Sequence, residues 1–220
     1  MPFQSKGITV RSTYLAGAIF LAASLAAGCG IGKSKPLLDD RPAAARVGDV
    51  IPATPVRDPL PLDSFKLNPC DALKRTDVAA LIADPPEDVR SESYSIGYDR
   101  ACKWDKSRAG SLVVGIPDAA TGNFSDRITR RSEDPAKFSH WRELSISGLP
   151  AVEQVGNPPV FEYNGSTLKA CTVEVGVTDT ELLEFRYSQV NDAKSQYWGD
   201  DRCAAALKAA EFVIGNLRGR

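Results

Sequence analysis

The 220-residue chain contains one histidine and one methionine, the latter at position 1. Imidazole is the usual group for moving protons near neutral pH, so a histidine-based acid–base scheme has only His140 to draw on. With no identified nucleophile to accompany it, His140 reads as a structural or surface residue. No Cys-X-X-Cys or Cys/His ligand spacing occurs, which disfavours zinc. GxSxG, HExxH and the β-lactamase and penicillin-binding motif sets are missing, so no catalytic residues are expected. Basic residues form no block suited to neutralising phosphates, and a nucleic-acid partner is not expected. The longest apolar run, Tyr14–Ala27, is short of the roughly 20 helical residues that cross a bilayer.

That run nonetheless carries the clearest message in the chain. Lys6 and Arg11 precede it, no acidic residue occurs before position 39, and it closes on Leu25-Ala26-Ala27-Gly28-Cys29. A basic start, a short apolar segment and small residues at the cut make an export signal. The final five residues resemble a bacterial lipobox, whose cysteine is acylated before cleavage. Cys29 is therefore the expected lipid-attachment residue and the first residue of the mature chain. Each buried methylene adds ~0.8 kcal/mol to membrane attachment, so two or three acyl chains hold a protein stably where one does not. The expected location is the outer face of the cell membrane, reached through this lipid.

Cysteine usage fits an oxidising compartment. Beyond Cys29 there remain Cys70, Cys102, Cys171 and Cys203, an even number in an exported chain, which reads as two disulfides. Spacing alone leaves three connectivities open. The pairs Cys70–Cys102 and Cys171–Cys203 are preferred because each would tie a helix start to a strand across the same offset in sequence. Loops of that size correspond to ~3–4 kcal/mol each in the chain-entropy description.

From Gly30 to Leu67, Pro36, Pro42, Pro52, Pro55, Pro59 and Pro61 alternate with small and charged residues and no hydrophobic period is sustained. Residues 29–67 thus read as a lipidated cysteine and an extended tether, after a signal at 1–28 and before one domain at 68–220. Asn68-Pro69-Cys70 opens a helix running toward Ala83, within which Thr76 is a candidate cap for a second short turn, and Asp84-Pro85-Pro86 is its stop. Tyr94–Trp104 and SLVVGI flank a turn at 107–110 and form a hairpin. Asn123–Arg131 is a short helix whose Arg127, Arg130 and Arg131 leave it little apolar face.

Trp141–Val155 is extended and interrupted at Gly148-Leu149-Pro150, whereas Asn164-Gly165 marks a tight hairpin between Val160–Tyr163 and Ser166–Val177. In the latter strand Cys171, Val173, Val175 and Val177 share a face against Thr172, Glu174 and Gly176. LLEFRY completes a three-stranded meander. The final helix, capped by Asp200 or Asp201, repeats apolar residues at helical spacing from Cys203 to Leu217. The expected fold class is α+β: an antiparallel sheet with helices mainly on one face, the N- and C-terminal helices tied to it by disulfides.

The chain resembles an actinobacterial lipoprotein family, domain of unknown function 3558. The resemblance rests on Asn68-Pro69-Cys70-Asp71-Ala72-Leu73, Asp77–Leu81, Cys102-Lys103-Trp104, Gly148–Val152, Cys171–Val175, and Cys203 opening an alanine-rich helix. Where the family pattern often has Gly-Asp-Ala, this chain has Pro150-Ala151-Val152, so no role is carried to that turn. The resemblance implies a cell-envelope lipoprotein and supplies no activity or ligand.

Acidic groups at Asp179, Glu181 and Glu184, and at Asp192, Asp200 and Asp201, invite a metal. A turn and a helix start account for them, and no metal or cofactor is expected. Tyr197 and Trp198, placed before the last helix, are the candidate interaction surface. The expected function is a non-catalytic module that binds an envelope protein or small ligand. The alternative is a hydrolase or carbohydrate-active enzyme using paired loop carboxylates, which would need two facing acids ~5–10 Å apart.

Overall fold

The computed structural model describes residues 56–82, 86–107, 109–163, 165–190, 198–199 and 201–219. The signal segment, Cys29, most of the tether, Asp192, Tyr197 and Asp200 lie outside the described residues. No helix among the described residues is long and apolar enough to cross a membrane.

Eight strands build one antiparallel sheet: β1 (Arg90–Tyr94), β2 (Tyr98–Lys106), β3 (Gly110–Pro117), β4 (Phe138–Ile146), β5 (Leu149–Gly156), β6 (Val160–Tyr163), β7 (Ser166–Gly176) and β8 (Leu182–Val190). Their order is β1-β2-β3-β8-β7-β5-β4, with β6 pairing the early part of β7. Local hairpins make most neighbours, while β3 and β8 meet across a long connection. The break expected near Gly148 is a tight turn: Ser147 and Gly148 both take positive φ, 51° and 80°, and the strands pair directly on either side.

Alternation sorts the strands into two faces. On one face Leu112, Val114, Val173, Val175, Leu183 and Phe185 are buried with α4 (Arg202–Arg218). Asp201 caps this helix, its carboxylate accepting from Ala204 N–H at 2.9 Å. Ala205, Ala206, Ala209 and Ala210 bring the helix close to β7 and β8, and Val213, Ile214 and Leu217 fill the remaining space. Each of those three aliphatics contributes on the order of 1.5–3 kcal/mol by leaving water.

The disulfides Cys70–Cys102 and Cys171–Cys203 close on this side of the sheet, each with a sequence separation of 32. The first joins a 3-10 turn at Pro69–Ala72 to β2, and the second joins the start of α4 to β7.

The amino-terminal region departs from the expected pattern twice. The helix expected from Asn68 to Ala83 is two pieces, the 3-10 turn and α2 (Arg75–Leu81), because Leu73 is extended and Lys74 starts a new helix. Asp77 sets that start, its carboxylate accepting from Lys74 N–H at 2.9 Å and from Asn216 of α4 at 2.8 Å. Residues 56–67, expected in the tether, pack instead with the domain. Leu60 N–H donates to the Val177 carbonyl, and Leu60, Leu62 and Phe65 of α1 (Asp63–Leu67) are buried in the core. Their isolated aliphatic and aromatic side chains show no period, which is why they resembled linker.

Candidate functional site

The second face of the sheet is polar at its centre. Thr172, Glu174 and Gly176 of β7 alternate with the buried valines, and Glu184 and Arg186 of β8 alternate with Leu183, Phe185 and Tyr187. Glu174 stands opposite Glu184 in register, and Thr172 opposite Arg186. Directly opposed residues have Cβ atoms about 5 Å apart, so two carboxylates share one small area. Glu174 is 1% exposed and Glu184 6%.

The two acids are treated differently by their surroundings. Glu184 accepts from Arg186 Nη2 at 2.8 Å and from the Tyr98 hydroxyl. Burial raises the Tyr98 phenol well above its ordinary value, and the Glu184 charge pushes it further in the same direction. Burial lowers the Arg186 guanidinium, but the neighbouring Glu184 charge outweighs this and leaves it raised. Glu174 faces Arg127 Nε at 3.0 Å. That N–H is not aimed at the carboxylate, so the contact is an ion pair without a hydrogen bond. Arg127 Nε and Glu174 Oε2 both lack a hydrogen-bond partner among the protein atoms described. Burial pushes the Glu174 carboxyl up to about 7, Arg127 opposes the rise, and Glu184 adds to it.

Arg127 comes from α3 (Phe124–Glu133), the short helix across this face. Asn123 caps it: its side chain accepts from Asp126 N–H at 3.1 Å while the Asp126 carboxylate accepts from Asn123 N–H at 2.7 Å. Phe124 anchors the start of the helix against Gly176, where an added Cβ would sit 3.0 Å from the ring. The arginines that seemed to spoil an apolar face are the inward face. Arg127 and Arg130 overlie the polar centre of the sheet, and the Arg131 guanidinium lies 5.7 Å from the Phe138 ring centroid.

Between α3 and the sheet opens a cleft of about 530 Å³. Arg127, Arg130 and Arg186 line one part, and Phe138, Trp141 and Pro158 line another. Phe138 and Trp141 pack edge to face, centroids 5.0 Å apart. The Asn157 side chain donates to the Ala136 carbonyl at 2.9 Å, and its backbone N–H to the Lys137 carbonyl at 2.8 Å, fastening the 157–159 loop that forms the rim. A concave site of this size, with apolar walls and a few converging polar groups, has the build of a small-molecule site.

Of the acidic residues singled out from sequence, Glu184 lies within β8 opposite Glu174 and not in a turn, and the other described candidates are distributed elsewhere. His140 pairs with Glu153 at 2.6 Å, and Arg142 with the same carboxylate at 2.5 Å. Glu153 lies in register with Val173, so this cluster sits on the α4 side of the sheet, away from the cleft. Asp179 accepts from Val56 N–H at 2.8 Å, and Glu181 pairs with Lys66 at 2.7 Å. Trp198, expected on an open surface, is half-buried against the core and its indole N–H donates to the Ala80 carbonyl at 3.1 Å. This bond ties Trp198 to α2. The alternation along the β7 segment did place Glu174 away from the core. What sequence reasoning missed was that the Arg-rich face of α3 would cover it.

The chain matches the family described as Protein of unknown function (DUF3558) over residues 24–216. No curated protein and no solved structure matches it. With the match covering nearly all of the chain, this protein belongs to the domain of unknown function 3558 family.

Proposed function

We propose that this protein is a membrane-anchored extracytoplasmic lipoprotein that acts as a non-catalytic binding module, with the cleft beneath α3 as its ligand site. The observation that carries the binding role is the cleft, where charged side chains and aromatic walls converge on one concavity. The anchor is supported by Lys6, Arg11, the apolar run and Cys29, and the family match begins at Ser24, so it includes the Leu25–Cys29 motif. Two disulfides suit an oxidising compartment.

Recovery of the lipidated protein from its native envelope, with mass spectrometry of bound proteins and lipids, tests this reading. A molecule that copurifies with the wild type and is lost from an Arg127→Ala/Arg130→Ala variant is the expected result. A molecule retained equally by both would move the site away from the cleft.

One observation favours a second reading, an envelope hydrolase or carbohydrate-active enzyme. Glu174 and Glu184 form a carboxylate pair, although on strands and not on loops. Glu174 lines the cleft, while Glu184 is engaged by Tyr98 and Arg186. Turnover of chromogenic glycosides or esters that disappears in Glu174→Gln would establish that reading.

A further inference from the structure

Glu174 is an expensive residue for a sheet to bury, and its position suggests what it does. It sits at the floor of the cleft with one oxygen facing Arg127 and the other without a partner. The groups that face it are Arg127 and Arg130 from α3, and Glu184 and Arg186 from β8. Its neighbour on β5 is the uncharged Val152. Arg186 bonds to Glu184, while Arg127 and Glu174 form an ion pair without a well-formed hydrogen bond.

An anion entering from solvent would compete with Glu174 for Arg127 and would be repelled by it. Both obstacles vanish if the carboxylate takes up a proton, because a neutral acid no longer holds the guanidinium and no longer opposes a second negative charge. Phe138, Trp141 and Pro158 provide the complementary wall for a flat apolar body beside the charged group.

We propose that the cleft binds a small organic anion bearing an apolar ring, with Arg127 and Arg130 holding the charged group, Trp141 and Phe138 holding the ring, and Glu174 taking up a proton as the anion docks. This inference rests on the reading of the cleft as a ligand site and names the ligand's chemistry. Lipid headgroups, glycan acids and phosphate esters share that negative charge, and the ring selects among them. The Glu174 carboxyl, pushed up to about 7, places the coupling within the neutral range. The protonated, binding-competent fraction then falls roughly tenfold between pH 6 and pH 8, and apparent affinity falls with it.

Calorimetry of the intact protein with 2-naphthalenesulfonate tests this, because that probe keeps its charge from pH 6 to pH 8. The expected result is binding that weakens roughly tenfold across this range. At pH 8 it should come with uptake of nearly one proton, read from heats in buffers of different ionisation enthalpy. Glu174→Gln should bind at pH 8 as the wild type does at pH 6, with no proton uptake. Arg130→Ala, on the half-buried face of α3, should weaken binding by tenfold or more at both pH values. Several outcomes would overturn the inference: no binding, equal binding of neutral 2-naphthalenemethanol, wild-type affinity independent of pH, or pH dependence persisting in Glu174→Gln. If the sulfonate does not bind but the envelope capture yields a cleft-dependent partner, the ligand chemistry fails and the binding-module reading stands.

Discussion

Glu174→Gln should flatten the pH dependence of folding stability between about pH 5 and pH 8. The carboxyl has an ordinary value of 4.5 and is pushed up to about 7 by burial in the folded protein. Below the lower value both states hold the proton and the group adds no slope. Between the two values only the folded state holds it, so stability falls as pH rises, and above the upper value the full cost of the buried charge is present. A displacement of this size is worth about 3 kcal/mol. For a domain of this length that corresponds to roughly 6–12 °C in melting temperature. Glutamine keeps the shape and removes the ionisation. Urea unfolding followed by far-ultraviolet circular dichroism, with disulfides intact, should show the wild type losing about 2–3 kcal/mol more than the variant from pH 5 to pH 8, since part of the change lies below pH 5. Parallel profiles for the two proteins would refute the argument, because they would mean that Glu174 is already ionised across the whole interval.

Removing the second disulfide by Cys171→Ser/Cys203→Ser should cost ~3–4 kcal/mol in the same unfolding assay, since it frees a long loop in the unfolded chain. Asn216→Ala should cost about 1–3 kcal/mol, because it strips the buried Asp77 carboxylate and the Ala72 carbonyl of their bonds to α4. Gly176→Val should destabilise by about 1–3 kcal/mol, as its side chain would meet Phe124 and Pro150 and lift the start of α3. Trp141 fluorescence should change with it while retained far-ultraviolet dichroism shows the sheet intact. Cys29→Ala should move the protein from the membrane fraction to the soluble fraction, as judged by fractionation and blotting.

The α4 side of the fold was legible because its signals are periodic. Val173, Val175, Leu183 and Phe185 alternate along strands, and Ala206, Ala210, Val213 and Leu217 recur along a helix, so each face could be read from one segment. The equal spacing of Cys70 to Cys102 and Cys171 to Cys203 favoured the pairing that the structure has. The start of the domain was not legible. Phe65 and Leu60 contribute single anchors within proline-rich chain, and their burial depends on a groove made by distant residues. The cleft was hidden for a related reason. A helix bearing Arg127, Arg130 and Arg131 looks like a solvated element until it is known that Glu174 and Glu184 lie beneath it, and that pairing is long-range. Trp198 looked exposed from its place in a loop, whereas its hydrogen bond to the Ala80 carbonyl and its contact with the core bury it.

The chain has three tryptophans, and the structure gives each a different setting: Trp104 in the core, Trp198 bonded to Ala80, and Trp141 at the cleft. Their indole N–H resonances in a nitrogen-15 correlation spectrum therefore report separately on three places. Titration with an extract of the native envelope tests the central claim most directly. The account predicts that the Trp141 resonance and the α3 amides shift together and that this response is lost in Arg127→Ala/Arg130→Ala. Shifts concentrated at Trp198 or along α4, with Trp141 unmoved, would contradict it.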